Sequence, residues 1–433
     1  MALNKKPYRG CRDFYPENMR IREYLFDQMK NSAHLFGYEP YDGPLLEEVE
    51  LYKAKSGEEL INDQIYSFTD RGERFVAIRP EMTPTLARMV ANIHRQESKP
   101  IRWYSIPNLM RYEKPQRGRV REHWQFNVDI FGAAEGKGEL EILSLIRDFL
   151  KSFGADHSMF SIRINDRMIV DHLMNQLLKL DEDSSYKLYK IIDRASKVTT
   201  EKLNQMIDEI ITDSSAKSIL NQYLGLDSFA AIKTFIKENN IPAESFLNIV
   251  SGAEELELLN YLEYDPAIVR GLDYYTGLVF EIFDKHPDNK RAIAGGGAYA
   301  NLLKIFNEEP LGGIGFGLGD VTLKDFLESH GLLGDFSKKN CDLFVVTTEE
   351  EHELSVIKLA NELRTLGCKT EAQLEKLKFN KIFKLAEQKG FSHVAMIESK
   401  DNSPQVQLRD LKTREIQYFS LEQAKDILKA IKG

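Results

Sequence analysis

Four glycines at period two, Gly313, Gly315, Gly317 and Gly319 in the run GGIGFGLGD (312–320), constrain this chain more than any other feature. Successive side chains of a strand point to opposite faces, so this spacing strips one strand face bare. A planar base can lie against such a face, or a helix can pack closely on it, and the segment alone does not choose between the two. Two nucleotide folds are excluded. No Lys-Ser/Thr pair follows the glycines, as a Walker loop requires, and no acidic residue closes a βαβ unit as a dinucleotide fold requires. Asp320 reads as the N-cap of the next helix.

Around this strand the pattern is that of an α+β protein of two or three domains, the number expected for 433 residues. Apolar residues at Ile21, Leu25, Met29 and Leu35 predict a helix that stops at Gly37. Short strands are expected at 64–80, 101–132 and 161–164, near one another and not alternating with long helices, which argues for an antiparallel sheet. Residues 166–262 are helical in periodicity and read as an insertion. Strands and glycines return at 268–320. The block 341–433 alternates strand and helix, predicting a separate α/β domain with a parallel or mixed sheet. Thr348 and Glu351 would form a capping box for a helix ending at Gly367. The polar stretch 328–340 is the expected linker.

Composition narrows the setting. Hydrophobic residues make up 42% and charged residues 29% of the chain, a globular balance. No eighteen-residue apolar run and no secretory h-region is present, so a soluble cytoplasmic protein is expected. Cys11, Cys341 and Cys368 suit a reducing compartment and fit neither a disulfide framework nor a CxxC zinc site. The formal net charge is −9. A local basic stripe suffices for a specific RNA contact, so the charge is weak evidence against one.

Three more segments carry chemistry. RYEKPQRGRVREHWQFNVDIFG (111–132) places Arg111, Lys114, Arg117, Arg119 and Arg121 in a loop between two strands, where they can grip a triphosphate or an RNA end. Gln125 and Asp129 share one face of the second strand, and His123 and Trp124 add rings. IRPEMTPTLAR (78–88) sets Glu81 and Thr83 at a strand-to-helix junction that can receive an ammonium group. Taken alone it is an ordinary helix start with Thr83 as N-cap and Pro84 after it. VRGLDYYTGLVFE (269–281) carries Arg270 before a strand on which Asp273, Tyr275 and Gly277 share a face.

In this order, over essentially the whole chain, these segments resemble class II aminoacyl-tRNA synthetases, and within them the histidyl-tRNA synthetase family. RGCRDFYP (9–16) is similar to the family's N-terminal signature, and GYEPYDGPLLEEVELY (37–52) to its dimerisation motif 1. Residues 111–132 are similar to motif 2, RGLDYY to the histidine-specific segment, and GGG with Tyr299, Asn301 and Leu302 to the second histidine motif. The implied fold is a class II antiparallel sheet flanked by helices (1–325), with the insertion at about 166–262 and a C-terminal α/β anticodon-binding domain (341–433).

The resemblance implies an ATP-consuming ligase that makes histidyl-adenylate and passes histidine to tRNA(His), working as a homodimer with no membrane partner. Glu81, Thr83 and Gln125 would hold the amino-acid ammonium, while Asp129, Tyr274 and Tyr275 would read the imidazole. A neutral imidazole offers one N–H and one acceptor, for which a carboxylate and a phenol are a matched pair. Arg270 and Arg111 would bracket the reacting carboxylate and α-phosphate, with Gln125 beside them. Glu113, Arg119, His123, Gly317 and Gly319 would contact ATP, with Mg²⁺ on the phosphates and no protein metal site. Three departures from the family stand out. Val321 and Thr322 stand where motif 3 has Glu-Arg, the Arg stacking on adenine. Ala298 and Ala300 flank Tyr299 in place of Arg and Asp, and His123 replaces a Phe. All three fall in or beside the nucleotide pocket. The rival reading is a silent synthetase paralogue that regulates an ATP phosphoribosyltransferase.

Overall fold

Each strand of the main sheet has one apolar and one polar or bare face, and that asymmetry decides where helices pack. The structure, a computed structural model, describes residues 3–53, 63–193, 195, 198–269, 275–339, 341–401 and 403–432. Two compact units emerge, one of residues up to 13 with 22–333 and one of residues 14–21 with 334–433.

The strands of the first unit are, in chain order, Glu39–Pro40 (β1), Leu46–Glu48 (β2), Tyr66–Thr69 (β3), Phe75–Ile78 (β4), Ile101–Ser105 (β5) and Asn108–Met110 (β6). Glu122–Phe131 (β7), Phe160–Asp166 (β8), Leu262–Tyr264 (β9), Leu278–Asp284 (β10), Ala292–Tyr299 (β11) and Gly313–Gly319 (β12) follow. Nine of them form one sheet in the order β1-β5-β7-β12-β11-β10-β8-β9, with β6 paired to β7. Pairing is antiparallel except at the two edges, β1/β5 and β8/β9. A smaller antiparallel sheet runs β2-β4-β3.

Phe126, Val128 and Ile130 of β7, Ile314, Phe316 and Leu318 of β12, and Phe280 and Ile282 of β10 are buried on one side of the main sheet. Against that side pack the helices Lys137–Lys151 and Asp320–Ser329, with Phe126 meeting Phe149 at 5.5 Å and Phe316 at 5.7 Å between ring centroids. Removing this much apolar surface from water is the main stabilising contribution of the unit. The opposite side presents Gln125, Asn127, Asp129 and Phe131 of β7, which pair with Gly319, Gly317, Gly315 and Gly313.

The N-terminal signature is structural. Gly10 adopts φ +88° and accepts from the Arg121 amide at 2.8 Å, and a Cβ there would lie 2.7 Å from the Arg121 side chain. Arg12 pairs with Asp320 at 2.9 Å. Asp320 therefore does not cap: the N-cap is Gly319, and the Asp320 carboxylate instead accepts from Arg12 and from the Trp124 amide.

Between β8 and β9 the described residues form the helices Arg167–His172, Glu182–Asp193, Thr200–Asp208, Ser214–Leu224, Phe229–Glu238 and Glu244–Glu255, joined by short breaks. Asp166, Thr199, Asp213 and Ser228 each cap a helix with a side-chain oxygen, which is why short polar residues mark the breaks. Buried Asn165 ties this region to the sheet through Tyr223 at 2.9 Å and Tyr264 at 3.2 Å.

In the second unit the strands Leu343–Thr347 (β13), Thr370–Ala372 (β14), His393–Lys400 (β15), Ser403–Asp410 (β16) and Ile416–Ser420 (β17) form a mixed sheet, β14-β13-β15-β16-β17. Helices Glu353–Thr365 and Ala424–Lys432 cover one face of it and Phe379–Lys389 the other. The expected capping box is absent. The helix starts at Glu353 after a 3-10 turn, without a side-chain cap, and the Glu351 carboxylate lies instead against the Ser399 hydroxyl at 3.0 Å.

At Gly296, on the apolar side of β11, an added Cβ would meet Gly315 O at 2.2 Å, Phe280 at 2.6 Å and Phe316 at 2.8 Å, whereas Gly312 has nothing within 4 Å. Gly296→Ala is expected to lower stability by about 2 kcal/mol or more and Gly312→Ala by less than about 0.5 kcal/mol, read as urea midpoints. Equal midpoints would overturn the close packing described at β11.

Candidate active site

The bare face of β12 is a floor on which side chains from neighbouring strands lie. A Cβ at Gly315 would fall 2.0 Å from Asp129 Oδ1, one at Gly317 2.7 Å from the Gln125 amide group, and one at Gly313 2.6 Å from the Tyr299 ring. The glycines thus admit Asp129 and Gln125 across the strand. Gly315 and Gly317 are therefore covered by protein side chains, and only Gly319 has no side chain closer than Thr322, at 3.4 Å.

Asp129 is the centre of a buried polar pocket. The Tyr299 hydroxyl donates to its Oδ1 at 2.6 Å. Burial pushes the carboxyl up to about 7, and the Tyr299 hydrogen bond opposes that rise. Tyr275 packs over Gly297, where a Cβ would lie 2.7 Å from its ring. Tyr41 and Trp103 stack obliquely at 5.5 Å, and both join Phe131, Tyr275 and Tyr299 in one cluster. The hydroxyls of Tyr41 and Ser105 are buried without a well-formed hydrogen bond. A polar ring ligand is suited to such a pocket, where a carboxyl oxygen can accept from it and a phenol can donate to it.

At one end of the pocket stand Glu81 and Arg111. Arg111 Nε donates to Pro80 O at 2.8 Å, which draws the start of the cationic loop to the residue before buried Glu81. Arg79, itself buried, fixes that turn by bonding Asp42 at 2.7 Å, Gly43 O at 2.8 Å and Asn108 O at 3.0 Å. Thr83 opens the helix Thr83–Ile93 but does not cap it: Met82 is the N-cap and no side-chain cap bond forms.

The loop cations divide by role. Arg121 is committed to structure, donating to Glu113 O at 3.0 Å and to the Tyr8 hydroxyl at 3.1 Å, with its guanidinium 4.0 Å over the Tyr112 ring. Arg119 pairs with the buried carboxylate of Glu113. His123 is pushed down to about 3 by burial and by the charges of Arg111 and Arg12, so it is a neutral ring at neutral pH. Ala298 pairs with Ile314 and lies on the apolar side of the sheet, so it leaves the polar face untouched, contrary to the expectation from sequence. Arg270 and Tyr274 lie outside the described residues.

Two participants were not among the site residues read from sequence. Tyr299 was assigned only to a motif, although strand parity across the Gly313 pair places it on the Asp129 face. Tyr41 left no local signal, because its position depends on the β1/β5 pairing at the sheet edge.

An antiparallel sheet with a glycine floor, a buried carboxylate pocket and an adjoining arginine-rich strand–loop–strand defines an amino-acid-activating unit of the class II aminoacyl-tRNA synthetase kind. The comparisons with known proteins agree. Residues 10–321 match the family model described as histidyl-tRNA synthetase, and residues 342–431 match that of an anticodon binding domain. A histidine–tRNA ligase of Leptospira biflexa is 43% identical over 427 residues, covering 98% of this chain and 97% of that protein. One from Thermoplasma volcanium is 35% identical, covering 95% and 96%. The fold is shared with a histidyl-tRNA synthetase crystal structure from Nostoc sp. (TM-score 0.82, 22% identity, 99% and 100% covered). It is also shared with a Bacillus halodurans protein described as an ATP phosphoribosyltransferase regulatory subunit/histidyl-tRNA synthetase (TM-score 0.76, 22% identity, 92% and 99% covered). The chain belongs to the histidyl-tRNA synthetase family, and is an aminoacyl-tRNA synthetase that joins histidine to transfer RNA.

The raised Asp129 value has a thermodynamic consequence. Between pH 4 and pH 7 the unfolded chain ionises this carboxyl, ordinarily near 3.8, while the folded chain keeps it protonated to about 7. Its contribution to stability therefore falls as pH rises through that window and is constant above it. The stability of the unliganded wild type relative to Asp129→Asn should decline from pH 4 to pH 7 in urea titrations. A pH-independent difference would show that Asp129 is not held in a desolvated site.

Proposed function

We propose that the pocket around Asp129 binds the histidine side chain and that the adjoining loop binds ATP, so that both meet at Arg111. The observation that carries this reading is the buried Asp129–Tyr299 pair on a glycine floor, with Tyr275 beside it. Asp129 accepts an imidazole N–H, and the Tyr275 phenol donates to the other ring nitrogen. Glu81, Thr83 and Gln125 receive the ammonium group, which leaves the histidine carboxylate facing Arg111. That carboxylate attacks the α-phosphorus of ATP, an oxygen–phosphorus bond forms as the bond to pyrophosphate breaks, and histidyl-adenylate results. No general base is needed, since the nucleophile is already an anion. Arg111, with Arg270 from the segment outside the described residues, neutralises charge that grows on the α-phosphate. A ribose hydroxyl at the end of tRNA(His) then attacks the acyl carbon, and AMP leaves.

Glu113, Arg119 and neutral His123 form the nucleotide side, with Gly319 as its open floor, while Gly317, expected there from sequence, lies under Gln125. Mg²⁺ would supply charge neutralisation on the phosphates. The loop offers one carboxylate, Glu113, and that one is paired with Arg119. Among the described residues the only cluster of three potential ligands, Glu349, Glu351 and His352, lies in the second unit. The ion would thus ride on phosphate oxygens and water, with Glu113 the carboxylate at hand.

The active form is proposed to be a homodimer. Leu46 and Phe68, on one face of the small sheet that motif 1 enters, are 43% and 45% exposed, an apolar pair suited to a second copy. The second unit is proposed to meet the anticodon stem. The enzyme is placed in the cytoplasm, where its free cysteines stay reduced. No helix among the described residues is long and apolar enough to cross a membrane.

The deciding experiment is amino-acid-dependent exchange of pyrophosphate into ATP. Exchange is expected with histidine alone among the twenty amino acids. Asp129→Ala should raise the KM for histidine and leave that for ATP unchanged, while Arg111→Ala should lower kcat by about 100- to 1,000-fold. No exchange by folded protein would sink the adenylation reading and favour the regulatory paralogue, to which the missing arginine at Thr322 would then belong.

A further inference from the structure

Position 322, where the family carries a nucleotide-binding arginine, is occupied by a threonine whose hydroxyl is turned onto backbone. Thr322 Oγ1 donates to Ile293 O at 3.0 Å and approaches Gly319 O at 3.2 Å. Two residues before Ile293, immediately ahead of β11, is Arg291. Both side chains converge on one loop glycine. A Cβ on Gly118, which has φ +70°, would lie 3.0 Å from Arg291 Cδ and 3.6 Å from Thr322 Cγ2. Arg291 therefore lies against the tip of the cationic loop at the place a side chain from position 322 would reach.

Arg119 and Glu113 are the charged neighbours that act on Arg291, and the Glu113 carboxylate is already paired with Arg119. Burial first, and the Arg119 charge second, hold the Arg291 guanidinium below its ordinary value. Among the described residues Arg291 makes no ion pair of its own. A cavity of about 300 Å³ opens beside it, lined by Arg117, Lys290 and Arg291 and by the carboxylates of Asp284, Asp288 and Asp325, of which Asp284 is engaged by Asn289 and His330. Asp325 faces Arg117 rather than Arg291. Two neighbouring guanidinium groups that share one carboxylate call for an anion, and planar five-donor groups suit phosphate.

We propose that Arg291 is a nucleotide-binding residue whose guanidinium, together with that of Arg119, grips the pyrophosphate portion of ATP and supplies a cation where position 322 supplies none. The proposal rests on the adenylation reading above and adds to it a residue from a different strand. It removes the objection that the departure at Thr322 leaves the nucleotide unheld, because the cation is supplied from β11 in place of the helix.

The test uses the full-length protein with Arg291→Ala, Arg291→Lys and the double variant Arg291→Ala/Thr322→Arg, each checked for an unchanged melting temperature. Calorimetry would measure the binding of ATP, pyrophosphate and AMP, and exchange kinetics the KM for ATP and histidine. In Arg291→Ala, ATP and pyrophosphate should bind about 10- to 100-fold more weakly, as expected for loss of a charge-assisted contact, with AMP and the KM for histidine nearly unmoved. The lysine variant should be intermediate, and Thr322→Arg should recover most of the loss. An ATP affinity within about twofold of wild type, or an equal loss for ATP and AMP, would overturn the proposal. Wild-type protein that binds ATP but exchanges no pyrophosphate would refute the adenylation reading alone, leaving the calorimetric comparison to decide the role of Arg291.

Discussion

The antiparallel pairing of β7 with β12 is the constraint on which the site depends. One strand supplies Gln125, Asp129 and Phe131, the other supplies glycine opposite them, and the register sets Asp129 against Gly315. A single-residue slip would turn Phe126, Val128 and Ile130 to the polar side and Asp129 into the apolar core. The apolar face thus fixes the register that the functional face needs. A carboxylate desolvated to a value near 7 is costly to the fold, and the packing of Phe126, Phe316 and Phe149 on the other side of the sheet offsets that cost.

A second layer of polar contacts holds the cationic loop in position. Arg121 is consumed by Tyr8, Tyr112 and the Glu113 carbonyl, and its backbone is clamped to Gly10. Arg79 and Arg111 pin the Pro80 turn from two sides. Of the cations in the loop, then, one is a structural post, one is tied to the neighbouring turn, and Arg119 shares its charge with Glu113. Counting basic residues overstates the charge available to a ligand. What remains is directional, because planar guanidinium groups held by carbonyls present their other edge in a fixed orientation.

Legibility from the sequence followed the range of the interactions concerned. Period-two alternation and glycine spacing are local, and they gave the strands, the bare face of β12 and the shared face of Gln125 and Asp129. The helical region between β8 and β9 was equally plain, since its caps are short-range. Misreadings arose where a longer-range partner outcompeted a local one. Asp320 looked like a cap, but Arg12, more than three hundred positions away, and the Trp124 amide hold it. Thr348 and Glu351 looked like a capping box, but Ser399 of β15 engages the Glu351 carboxylate. Tyr41 could not be found at all without knowing that β1 joins the sheet beside β5.

The same reasoning explains why a family motif can lose its arginine without losing the charge. A motif records residues that are adjacent in sequence, whereas a phosphate group responds only to where guanidinium groups end in space. The first turn of the helix after β12 and the start of β11 are distant along the chain. Thr322 and Ile293 are nonetheless joined by a hydrogen bond of 3.0 Å, so a long side chain two residues before Ile293 reaches the loop that a long side chain at 322 would reach. The small residue at 322 suits the arrangement, since an arginine at each position would bring a third guanidinium beside Arg119 and Arg291, whose neighbouring carboxylate, Glu113, is already paired. Thr322 is accordingly the position whose neighbours, more than its own identity, decide how the nucleotide is held.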